Sequence, residues 1–169
     1  MQTRTEQEAK EKIGEMIRDI NIALLVTQDQ SGNFHARPMG TQKPDKDKPF
    51  TGELWFMTDV NSPKVAEIKE NPKVLLSYAE PKKQDYISVA GTASIVIDKA
   101  KVKEFWTEAF KTWFPDGPDD PDIALIRVDA EAAEYWDAPS KTIVYAYGYF
   151  KAKLTGEQPD IGENRKIAI

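Results

Sequence analysis

The sequence predicts a mainly β fold with flanking helices (α+β), built as a small antiparallel barrel. Three observations lead there. Apolar runs of strand length recur along the chain, and short turns join them more often than crossover helices do. One run, Asp85 to Ile97, is much longer than the others and carries Gly91 near its middle, where a sheet curling into a barrel needs a bulge or bend. Glycine and proline punctuate the turns, as in small β barrels rather than doubly wound sheets. The 169 residues are one domain's worth, so a single domain over 1–169 is expected.

The elements follow in order. Residues 5–20 read as an amphipathic helix, because Ala9, Ile13, Met16, Ile17 and Ile20 recur at helical spacing with Glu and Lys between them. Ile22 to Thr27 is a continuous apolar run of strand length. Gln28 to Asn33 is a turn with Ser31-Gly32 at its tip, and Phe34 to Thr41 returns as the second strand of a hairpin. Pro38 in that strand cannot donate to a ladder, which points to an edge. Gln42 to Gly52 is loop. Glu53 to Asp59 is a buried strand, Pro63 to Glu70 a short helix, and Lys73 to Glu80 and Asp85 to Ile97 two further strands. Asp98 is placed to cap a helix from Lys99 to about Phe114 with a heavy aromatic stripe. The acidic loop 115–122 lacks the spacing of a calcium site. Ile123 to Val128 is the last clear strand. The tail, 139–155, has both alternating tyrosines and a helical apolar repeat; a helix ending at Gly156 is preferred, with a short strand over 164–169.

The stretch from Glu53 to Lys64 has the greatest chemical interest. A strand ending in Thr58 and Asp59 turns tightly into a helix that opens with Ser62-Pro63-Lys64. That arrangement gathers two hydroxyls, free backbone N–H groups and a lysine at a helix N-terminus, which suits a phosphate. The same residues also make a plain N-cap, with Pro63 at the first helical position and a solvent lysine.

Composition narrows the classes. The net charge of −5 argues against nucleic-acid binding through a basic field, so an anionic ligand needs a local basic site. There is no cysteine, and the single histidine, His35, leaves no material for a histidine metal cluster; no metal is expected. No run is long and apolar enough to span a bilayer and the N-terminus is polar, so a cytoplasmic protein is expected.

Three separated stretches carry a resemblance. They are Ala36-Arg37-Pro38-Met39; Trp55-Phe56-Met57-Thr58 followed by Ser62-Pro63-Lys64 and Asn71-Pro72; and Val128 to Trp136 with its Glu134-Tyr135-Trp136 ending. In this order and spacing they resemble the pyridoxamine 5'-phosphate oxidase-like, FMN-binding split barrels, closest to the bacterial general stress protein branch. The resemblance implies an FMN cofactor, with FAD or a deazaflavin also accommodated. It implies Arg37, Pro38 and Met39 along the flavin, Phe56, Met57 and Thr58 against it, and Ser62 and Lys64 at its phosphate. It further implies homodimers with flavin sites between subunits, where Trp136 and Trp113 reach the flavin held mainly by the other chain. The residue chemistry agrees: Arg37 and Lys64 offer charge-assisted donors, and methionines and aromatics offer polarisable walls.

The departures from that family are informative. Pro63 stands where true oxidases have an arginine before the lysine, Gln42 where a lysine ends the second-strand motif, and Tyr86 and Ser88 where a glutamine and an arginine approach the cofactor. The Arg-Leu-His substrate signature is missing after Trp136, where Asp137-Ala138-Pro139-Ser140 follows. The expectation is a flavin-binding, stress-response-type protein that is not a true pyridoxamine phosphate oxidase. Whether it is a flavin-dependent oxidoreductase of unknown substrate or a non-catalytic flavin-binding or interaction module is left open. Haem is a third reading, with His35, a tyrosine or a methionine as axial ligand.

Overall fold

Helix α1 (Glu6–Ile20) forms where the apolar repeat predicts it and buries Ala9, Ile13, Met16 and Ile17. The computed structural model describes residues 6–42, 45–137 and 163–169. The expected helix over 139–155 lies outside them. Among the described residues seven strands follow α1: β1 (Ile22–Gln28), β2 (Phe34–Gly40), β3 (Glu53–Asp59), β4 (Lys73–Glu80), β5 (Asp85–Val96), β6 (Ile123–Asp137) and β7 (Glu163–Ala168). Two more helices, α2 (Pro63–Glu70) and α3 (Lys99–Phe105), lie between them.

All strand pairs are antiparallel. The sheet runs β2-β1-β4-β5-β6-β3, and β7 extends it on β6. The two ends of this order, β2 and β3, meet only in an isolated bridge between Thr41 and Phe56, with the Gln42 N–H donating to the Trp55 carbonyl at 2.8 Å. The sheet therefore wraps without closing, which is a split barrel. Continued past the bridge, the same antiparallel register would set Met39 opposite Thr58 and Arg37 opposite Val60, but β2 and β3 pair no further.

The barrel interior holds the main core. Leu25, Phe56, Leu76, Tyr78, Val89, Ile126 and Tyr135 are fully buried, and α1 packs against them. The Tyr78 hydroxyl meets that of Thr41 at 2.9 Å, which satisfies a buried phenol beside the seam. A second cluster covers the other face of β3 and β6: Met57, Val102, Phe114, Ile123 and Leu125. Alternation along β3 sends Leu54 and Phe56 into the first core and Met57 into the second, so both faces of this strand are covered.

Two elements differ from expectation. The helix from Lys99 stops at Phe105, because Trp106 is extended (φ −63°, ψ 133°), and a 3-10 turn at Glu108–Thr112 replaces the rest. Phe105 and Trp106 both pack on the second cluster, which neighbours about 100° apart on one continuous helix do poorly. Strand β6 does not end at Val128 but runs to Asp137. Asp129, Ala130 and Glu131 are poor strand formers, yet pairing with β5 carries through them. The register shifts between Ala90 and Gly91, which oppose Ala132 and Ala130, so the extra residue is Glu131 on β6, opposite the glycine expected to mark the bend. A Cβ on Gly91 would sit 2.4 Å from the Asp129 carbonyl oxygen. Gly91→Ala is therefore expected to lower unfolding free energy by about 2 kcal/mol or more, read from the denaturation midpoint, since only backbone movement relieves the clash.

Candidate functional site

The site begins where β3 ends. Asp59 turns the chain by accepting from the Asn61 N–H through its carboxylate at 2.7 Å and from the Ser62 N–H through its carbonyl at 3.1 Å. Ser62 takes the N-cap backbone conformation with Pro63 next, as the sequence indicates, but its side chain caps nothing. The hydroxyl turns instead toward Thr58, Oγ to Oγ1 at 3.3 Å. Lys64 reaches back to donate to the Thr58 hydroxyl at 3.0 Å. The solvent-lysine alternative is thus set aside. Lys64 is half-buried, and burial first, then the nearby Arg37 charge, lowers its pKa against the opposing pull of Asp59 and Glu67. Among the described residues no carboxylate forms an ion pair with it. A lysine in the first turn of a helix also faces the positive end of the dipole. Burial, the Arg37 charge and the helix dipole thus disfavour a cation here, and only the fields of Asp59 and Glu67 oppose them.

Arg37 enters from β2. Its guanidinium donates to the Leu25 carbonyl at 3.3 Å, to the Thr27 hydroxyl, and to the Glu67 carboxylate at 2.9 Å. Thr27 in turn donates to the same Glu67 oxygen. Arg37 and Glu67 are both largely covered, at 21% and 13% side-chain exposure, so the pair is not a rim contact. Burial pushes the Glu67 carboxyl up, but the hydrogen bonds from Thr27 and Arg37 and the Arg37 charge outweigh it and hold the pKa below the ordinary value. Glu67 was not singled out from the sequence. The available signal was its position three residues after Lys64, which puts both on one face of α2.

The remaining candidates fall elsewhere. Phe56 faces the main core and Met57 the second cluster, and Met39 packs against the main core, so none of the three side chains walls an open site. Pro38 points to the outer face of the sheet, opposite Leu24. Trp136 pairs with Tyr86 at the far end of β6 from Ala124, the residue opposite Thr58. Trp113 closes the 3-10 turn and is 71% exposed. The structure thus brings Arg37, Thr58, Ser62 and Lys64 together and leaves Trp136 at the other end of β6. His35 donates from Nε2 to the Asp29 carboxylate at 3.0 Å inside the hairpin, and with the Asn33 contacts this lowers the Asp29 pKa to about 2.

A wrapped, unclosed antiparallel sheet with a lysine and hydroxyl cluster beside its seam defines the class, a split β-barrel. The chain belongs to the pyridoxamine 5'-phosphate oxidase-like family, whose model matches residues 8–160. It is 30% identical to general stress protein 26 of Bacillus subtilis over 142 residues, covering 82% of this chain and 96% of that protein. It is 28% identical over 124 residues to protein bli-3 of Neurospora crassa, covering 69% of this chain but only 59% of that longer protein. Among solved structures, the general stress FMN/FAD binding protein of Xanthomonas citri is similar with a TM-score of 0.69 at 26% identity, covering 80% of this chain and 93% of that one.

Because the folded pKa of Lys64 is lowered, the folded state holds that proton less tightly than the unfolded chain does. The charged lysine therefore costs stability at neutral pH, and the cost fades as pH rises through the lowered pKa. Lys64→Met is expected to leave the thermal midpoint of the ligand-free protein unchanged or higher.

Proposed function

We propose that this chain is a flavin-binding protein of the general stress type. In this reading Lys64, Thr58 and Ser62 receive the phosphate of FMN and Arg37 completes the basic edge; FAD or a deazaflavin meets the same groups. The observation that carries the reading is the half-buried Lys64 ammonium, without an ion-pair partner among the described residues, bonded to the Thr58 hydroxyl, which in turn meets a Ser62 hydroxyl that does not cap the helix. The donor set fits a phosphate monoester or diester: one ammonium and two hydroxyls at the start of α2. The names of family members point the same way. A bound flavin supplies hydride or electron transfer, while these residues hold and orient it.

The second half of the proposal is a homodimer. The outer face of β2, β1, β4, β5 and β6 carries Pro38, Ile22, Leu24, Leu75, Tyr86 and Trp136 in one continuous register. Ile22 and Leu24 are 50% and 47% exposed, and Phe34 at the hairpin is 74% exposed. Ser77, Ser88 and Glu134 share this face in the row from Leu24, so it is mixed, but the exposed Ile22, Leu24, Leu75, Tyr86 and Trp136 on it favour a partner. The occupant we assign is a second copy, because strand β2 bears both features, with Pro38 on the outer face and Arg37 on the opposite side that reaches the site. That arrangement also supports Trp136 completing a site on the other copy.

A non-catalytic flavin carrier is the second reading, favoured by the pairing of Arg37 with Glu67, which leaves no free base beside Lys64 among the described residues. An absorbance spectrum after soaking in FMN and desalting is expected to retain the flavin bands. Added NAD(P)H then separates turnover from storage, and pyridoxamine phosphate should give no turnover. A colourless protein that cannot be titrated with FMN overturns the reading. Light scattering is expected to give a dimer mass for the native protein and a monomer mass for Leu24→Glu; a native monomer overturns the assembly.

A further inference from the structure

Within the flavin reading, on which this rests, one charged group remains unexplained. A site built only for a dianionic phosphate gains nothing from a carboxylate, yet Glu67 stands on the same face of α2 as Lys64 and occupies the Arg37 guanidinium at 2.9 Å. It is not a passing surface contact. Thr27 donates to the same oxygen, and both partners are mostly covered. The backbone carbonyl of Leu25 takes a further Arg37 proton. Three neighbours thus fix the guanidinium in one orientation, with one of its two terminal nitrogens committed to Glu67.

The consequence is a matter of charge. Arg37 and Lys64 carry two positive charges, Glu67 returns one negative and Asp59 a second that acts on Lys64, so the cluster as built carries little net charge. The terminal phosphate of FMN is largely a dianion at neutral pH, with a second ionisation near pH 6, as for other phosphate monoesters. A phosphodiester or an internal diphosphate carries only one charge on each phosphate at any physiological pH. We infer that Glu67 is a specificity-determining residue, which tunes this site away from a doubly charged phosphate monoester and toward the singly charged phosphates of a dinucleotide flavin. Glu67 acts through Arg37 and through its own field, and it need not touch the ligand. A neutral isostere, Gln, keeps both hydrogen bonds in place and removes only the charge.

The test is a set of fluorescence-quenching titrations of FMN and FAD against the native chain and Glu67→Gln, at fixed ionic strength and pH 7.5. Glu67→Gln is expected to tighten FMN about tenfold and FAD clearly less, by about threefold at most. Equal tightening of both flavins, no change, or weaker FMN binding overturns the inference while leaving the flavin reading intact. Failure of both proteins to bind either flavin overturns both.

The native chain alone supplies a second measurement should the variant not fold. The charged and titratable groups around Glu67 are Arg37 and His35 from β2 and Lys64 on its own helix, with Thr27 from β1 as its neutral hydrogen-bond donor; Asp59 acts on Lys64 from the end of β3. Lowering the pH from 7.5 to 5.5 converts most FMN phosphate to the monoanion and leaves the FAD diphosphate unchanged. The FMN-to-FAD affinity ratio of the native protein is therefore expected to change by no more than about twofold, because a cluster of little net charge gains little from a second phosphate charge. A severalfold fall of the ratio, the mark of a site that prefers the dianion, overturns the inference.

Discussion

The close approach of β5 to β6 at Gly91 is the constraint on which the architecture rests. Strand β6 is the longest in the barrel, and it serves β5 along one edge while β3 and then β7 share the other. One residue must be absorbed where the strand passes from one partner to the next. Glu131 is that residue, and the missing side chain at Gly91 is what lets the Asp129 carbonyl come near enough for pairing to continue. The Ala130 N–H is then free to reach the Gly52 carbonyl at 2.9 Å, which anchors the entry to β3. The turn after β3 carries the lysine and hydroxyl cluster, so the position of Thr58 and Lys64 depends on a bulge on the neighbouring strand.

Much of this was legible in the sequence. Strands β1 to β5 and helices α1 and α2 follow from apolar periodicity and from turn residues, because each is decided by local pattern. The bend at Gly91 was legible for the same reason. The continuation of β6 was not, since Asp129-Ala130-Glu131 has no strand propensity and is held only by its partners. The break at Trp106 was hidden by an aromatic stripe that suits a helix equally well. At the site, Ser62, Lys64 and Thr58 could be read from their spacing, and Arg37 from the resemblance. Glu67 could not, because a Glu on a short amphipathic helix looks like an ordinary solvated charge until β1 and β2 are folded over it. Phe56 and Met57 show the reverse error: a motif position does not say which way a side chain faces when both faces of a strand are covered.

The site also illustrates how stability and binding pull apart. Helix α2 would be better served by a carboxylate in its first turn and by a capping hydroxyl at Ser62. It has a cation and an uncapped start. Both departures are compensated by burial of Val65 and Ile68 and by the Glu67 contacts to β1 and β2. The helix is held by its far face and by its middle, and its N-terminal end is left poor in internal partners.

The seam between β2 and β3 has a mechanical consequence. Every other junction of the barrel is a ladder of several hydrogen-bonded pairs, whereas this one is a single rung at Thr41 and Phe56, with Tyr78 bonded to Thr41 behind it. A cylinder slit along one line resists bending well and twisting poorly, so torsion of the two sheet edges concentrates at that rung. Arg37 lies on one lip of the slit and Thr58 on the other. Any molecule that grips both acts as a clasp, adding torsional stiffness to the barrel out of proportion to its size.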